Sequence, residues 1–197
     1  ASDIERQIKK MLTPSGVYIR MGGSVKDQRD AFRDLALIFL LGILLVYLVM
    51  AAQFESYRDP FVIMFSVPFA ITGVLWGLFL TGQKLNVPSF IGLVMLVGVV
   101  VNNAIVYLDY VLMMRQNGMD LRSALLEAAR VRLRPILMTT ITTLLGMLPM
   151  ALSRGEGSES WRPLAVAVLG GLTISTLITL VIVPVMYSIF EERVKKF

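Results

Sequence analysis

Two adjacent carboxamides, Asn102 and Asn103, stand midway along an otherwise apolar run from Pro88 to Leu112. A buried side-chain amide without partners costs roughly 1 to 3 kcal/mol, so both are expected to face other helices rather than lipid. Such amides serve either as interhelical hydrogen-bonding groups or as the wall of a relay site; an amide itself carries no proton near neutral pH. Asp109 follows Asn102 by seven residues, two turns and about 10 Å further along roughly the same helical face. An intramembrane carboxylate is a functional candidate by default, and this one could release protons or simply reach headgroup water toward Arg115. Arg132 and Thr139 form a second pair seven residues apart. On a straight helix the two would align, and the threonine hydroxyl could hold a proton-passing water, or it could bond back to its own helix.

Other chemistry is poorly supplied. The 197 residues contain no Cys and no His, which removes disulfides, thiolate or imidazole metal sites and the commonest nucleophile–base pairs. No neighbouring nucleophile and base can be assembled, so a membrane enzyme is not expected. Twelve methionines invite a soft-metal reading, since thioethers suit Cu(I), but they are scattered and read as gap-filling side chains. No metal site and no cofactor are expected. The isoelectric point near 9.7 does not imply nucleic acid, because the bases lack a basic, aromatic-rich patch.

Hydrophobic residues make up 56% of the chain and charged residues 17%, and the mean hydropathy is +0.71. This composition is that of a membrane protein. Five apolar stretches approach or exceed the roughly 20 helical residues that cross a bilayer: 35–54, 61–80, 88–112, 136–152 and 164–190. Pro60, Pro88, Pro135 and Pro163 open four of them, where a missing N–H costs nothing. Pro68, Pro149 and Pro184 fall inside or near the ends of spans and are expected to kink rather than break them. Gly73-x3-Gly77, and Gly170-Gly171 with Ser175, are expected to let helices approach closely.

Between the third and fourth spans, the segment 115–134 has helical periodicity with Asp120 as N-cap. Its polar stripe is Ser123, Glu127, Arg130 and Arg134, and its second stripe of Leu121, Leu125, Ala128 and Arg132 places Arg132 on the apolar face. This Arg-rich loop and the basic C-terminal tail belong in the cytoplasm by the positive-inside rule. With five crossings the N-terminal end is then external. Glu55, Arg58, Asp59 and Pro60 are expected to form a tight cytoplasmic turn, with a structural ion pair rather than a transport role.

Residues 1–33 mix bases and acids, and Thr13-Pro-Ser-Gly16, Val17-Tyr-Ile-Arg-Met21 and Gly22-Gly23 read as turn, short strand, turn. The division is therefore an extramembrane remnant over 1–33 and a transmembrane domain over 34–197, all-α apart from the strand. The chain is expected to be part of a longer polytopic protein.

The ordered motifs Gln53-Phe-Glu55-Ser-Tyr-Arg-Asp-Pro60-Phe61, Pro68, Gly98-x3-Asn-Asn-Ala-Ile105, Arg132-Leu-Arg134-Pro135-Ile-Leu-Met-Thr139 and Gly146-Met-Leu-Pro149 resemble the second half of resistance-nodulation-division (RND) transporters. The likeness is greatest to the hydrophobe/amphiphile efflux branch. It implies transmembrane helices eight through twelve of twelve, preceded by the end of a periplasmic porter domain. It also implies an inner-membrane homotrimer exporting amphiphiles in exchange for protons, with the protein's N-terminal half as partner and a periplasmic adaptor and outer-membrane channel in Gram-negative cells. By motif, Asn102 takes the place of the family's helix-ten lysine, Arg132 that of its arginine and Thr139 that of its threonine, with Asn103 lining the site and Asp109 as a candidate exit group. Asn102 departs from the drug-pump pattern, so the family's lysine–aspartate ion pair cannot form here. Other readings of the chain are an RND-type exporter of lipids or metal ions, and a non-transporting scaffold or assembly fragment.

Overall fold

The computed structural model describes residues 24–155 and 157–194, and the surroundings of side chains over 26–155 and 157–191. All regular structure among these residues is helical. The strand expected over 17–21 lies outside the described residues.

The chain divides into two compact units, Ala1–Leu41 and Gly42–Phe197. The described part of the first is helix throughout, the leading portion of α1 (Ser24–Phe54). The second continues from Gly42 and contains α2 (Arg58–Met64), α3 (Ser66–Leu80), α4 (Val87–Gln116), α5 (Leu121–Leu152) and α6 (Ser158–Val194). Among the described residues five helical stretches are long and apolar enough to cross a membrane, with α2 and α3 counting as one.

The helix boundaries follow from local chemistry. Glu55, with φ 49°, ends α1 in the left-handed region, and the Ser56 hydroxyl accepts from the backbone N–H groups of Arg58 and Asp59 at 3.2 and 3.4 Å. That hydroxyl closes the turn, and no ion pair joins Glu55 to Arg58. The second span is interrupted at Phe65, three residues before Pro68, because proline lacks the N–H that would bond the carbonyl four residues back. α4 begins with a reciprocal capping box: the Asn86 side chain accepts from Ser89 N–H at 3.0 Å, and Ser89 Oγ accepts from Asn86 N–H at 2.8 Å. Asp120 caps α5 by accepting from Ser123 N–H at 3.2 Å. Pro135, Pro149, Pro163 and Pro184 are accommodated within continuous helices, so the amphipathic segment after Asp120 and the fourth apolar span are a single helix.

α6 is the hub of the second unit and packs on α2, α3, α4 and α5. Its residues Leu164 to Val168 are buried on every side. Close approach is achieved through glycine: a methyl group placed on Gly73 of α3 would lie 2.8 Å from both the Gly170 carbonyl oxygen and the Gly171 Cα. Gly77 would meet Gly170 Cα at 3.0 Å, and Gly92 of α4 the Leu164 carbonyl oxygen at 2.9 Å. The glycine spacing in the second and fifth spans therefore serves packing, as expected. At the C-terminal ends of α4 and α6, Arg115 and Glu191 form an ion pair at 3.0 Å.

Candidate functional site

α4 and α5 carry the five candidate residues, and the face of α4 toward α6 is apolar: Leu96, Val100, Val101, Ala104 and Leu108 are buried. Helical geometry then turns Asn102 outward. Asn102 and Asp109 are exposed in this chain and Asn103 is half-buried. Because Gly98, Asn102 and Asp109 are all exposed, they form an open stripe along α4. Nothing lies within 4 Å of where a Gly98 side chain would be.

Arg132 behaves differently from its neighbours. Arg122, Arg130 and Arg134 are exposed, while Arg132 is half-buried and turns to α4, where its guanidinium carbon lies 4.9 Å from the centre of the Tyr110 ring. Its Nε is buried and has no hydrogen-bond partner. Tyr110 follows Asn103 by seven residues, so the arginine stands over the Asn103 row of α4.

Thr139 is exposed and its hydroxyl donates to the Ile136 carbonyl at 3.0 Å. Of the two arrangements open to it in the sequence, bonding to its own helix is the one present. The neighbouring Thr140 is buried and pairs with Thr176 of α6, oxygen to oxygen, at 3.3 Å. Asp109 does not pair with Arg115, which is committed to Glu191 and to the Met119 carbonyl at 3.4 Å.

Arg132 and Tyr110 are thus brought together across the α4–α5 seam, whereas Asn102, Asp109 and Thr139 line open surface and Asn103 is half-buried. Tyr110, and the Thr140–Thr176 pair, were not singled out by the motifs. The seven-residue step from Asn103 is the signal that could have found Tyr110. A second seam contact, Tyr107 Oη donating to the Leu125 carbonyl at 3.0 Å, fixes the two helices beside it. Among the described residues no group of three or more His, Cys, Asp or Glu side chains could hold a metal ion.

These helices match the membrane-spanning part of resistance-nodulation-division (RND) proteins in sequence and in fold. The chain belongs to the AcrB/AcrD/AcrF family, whose sequence profile matches residues 1–191. It is 43% identical over 194 residues to the swarming motility protein SwrC of Bacillus subtilis, covering 98% of this chain and 18% of that protein. It is 35% identical over 190 residues to the cobalt-zinc-cadmium resistance protein CzcA of Cupriavidus metallidurans, covering 96% of this chain and 18% of the relative. The crystal structure of a heavy metal efflux pump superposes with a TM-score of 0.84 at 34% identity, over 97% of this chain and 19% of that one. The chain therefore spans less than a fifth of the length of these relatives.

Proposed function

We propose that this chain supplies the membrane-spanning, energy-coupling part of an RND exporter that moves solute out as protons move in. The observation that carries the reading is the outward stripe of Asn102 and Asp109 on α4, together with the exposed Thr139 of α5. Polar side chains at that depth are costly against lipid and normally face protein or water-filled cavities, so the stripe is the face that meets the remainder of the transporter. Asn102 and Asn103 are then the uncharged wall of a proton site, Arg132 brings its fixed positive charge, and the titrating carboxylates come from outside these residues. Asp109 would pass protons toward the cytoplasm. The Arg-rich N-terminal part of α5 and the C-terminus are cytoplasmic in this reading and the N-terminal end external, as the positive-inside rule requires. The complete protein is a trimer in the cytoplasmic membrane, joined in Gram-negative cells by an adaptor and an outer-membrane channel.

Amphiphiles remain one substrate class. A heavy-metal cation is the second, and it is supported by the names of CzcA and of the superposed pump. Either choice is made outside this chain.

The test is the complete transporter in proteoliposomes under an imposed proton gradient, with ethidium and Zn²⁺ as alternative cargo. Arg132→Ala is expected to abolish gradient-driven transport of whichever cargo the wild type moves. Transport at the wild-type rate by that variant would remove Arg132 from the coupling site.

A further inference from the structure

We propose that Tyr110 is a positioning residue for Arg132: its ring face holds the guanidinium at the α4–α5 seam and so fixes where the positive charge stands relative to the polar stripe. The inference rests on the coupling role given to Arg132 above and adds the group through which this chain sets it.

Three observations converge. The guanidinium carbon is 4.9 Å from the ring centre, within the distance at which a cation is attracted to an aromatic face. The Arg132 Nε is buried with no hydrogen-bond partner, so the charge is partly desolvated and a ring quadrupole counts for more there than in water. The backbone beneath is fixed by the Tyr107 hydroxyl on the Leu125 carbonyl at 3.0 Å, one turn before Tyr110 on the same helix.

The chemistry of the pair suits positioning. A carboxylate at this place would pair with Arg132 and neutralise its charge. An aromatic face holds the cation without cancelling it and leaves the terminal N–H groups able to donate elsewhere. The guanidinium is a planar cation suited to stacking on an aromatic face, so what the ring controls is location.

The same proteoliposome assay tests this, with a spectroscopic readout of position. Tyr110→Leu is expected to lower the maximal gradient-driven rate about tenfold with the cargo KM unchanged, and Tyr110→Phe to stay within about twofold of wild type. Tyr110→Met fills similar space without a ring and replaces the leucine variant if that one misfolds. In solid-state NMR of the arginine-labelled transporter, the Arg132 signal, assigned by its loss in Arg132→Ala, should be ring-current shifted in wild type and Tyr110→Phe and unshifted in Tyr110→Leu. A wild-type rate in both ringless variants, a phenylalanine variant as slow as the leucine one, or an Arg132 signal indifferent to the ring would each overturn the proposal. Normal transport by Arg132→Ala alone would instead fail the functional reading while the NMR shift still judged the contact.

Discussion

Gly73 of α3 and Gly170 of α6 meet backbone to backbone, each so close to the other that a methyl on either would fall within 2.8 Å of the opposing carbonyl oxygen. The obstacle is main chain, which cannot rotate aside as a side chain can. In a bilayer, where apolar side chains gain little by leaving lipid for one another, such close packing is a main source of helix association.

Gly73→Ala in the complete transporter is therefore expected to force α3 and α6 apart and lower stability by about 1 to 3 kcal/mol. Gly155→Ala, where nothing lies within 4 Å of the added carbon, should change it little. The midpoint of SDS or thermal unfolding checks both, and equal midpoints for the two variants would contradict the packing role.

The buried Thr140–Thr176 contact at 3.3 Å joins α5 to α6 through hydroxyls. A coupling energy of about 0.6 kcal/mol is expected, the average for interhelical hydrogen bonds in membranes. A double-mutant cycle with Thr140→Val and Thr176→Val measures it. Thr142→Val is the comparison, since the exposed Thr142 hydroxyl already donates to the Met138 carbonyl of its own helix at 2.8 Å, and it should be close to neutral.

Asp120 lies outside the apolar spans, and hydrogen bonds from the Ser123 side chain and backbone hold its carboxyl below the usual carboxylate range. A depressed native pKa means that the stabilisation is fully present above the unfolded value and is lost as pH falls through the folded one. The protection factor of the Ser123 amide, its exchange rate corrected for the intrinsic pH dependence, is expected to be steady at neutral pH and to fall as Asp120 protonates in acid. In Asp120→Asn the side-chain acceptor remains and the acid-linked change should vanish; its persistence would assign the effect to another group.

Much of the architecture was legible in the chain. Apolar length alone located the five helical stretches that, among the described residues, are long and apolar enough to cross a membrane, because a bilayer tolerates only backbone that bonds to itself. The cap at Asp120 and the close-approach glycines of the second and fifth spans were readable for the same local reasons. The effect of each proline was less so: Pro68 sits beside a break at Phe65, while Pro149 and Pro184 lie in unbroken helix, since a freed carbonyl is tolerated or not according to its neighbours.

The sequence by itself determined which residues of the third span share a helical face, Asn102 with Asp109 and Asn103 with Tyr110, as the 3.6-residue period demands, while the alignment of Arg132 with Thr139 waited on the continuity of α5 through Pro135. It could not determine which face is covered, because spans that are apolar on all sides carry no mark of the direction of their neighbours. Tertiary structure decided that: α6 took the apolar side of α4, leaving Asn102 and Asp109 outward, and brought Arg132 across the seam onto Tyr110. Asn102 at the centre of the third span is thereby a surface of this chain, with Asn103 half-buried beside it, and its chemistry belongs to what that surface meets.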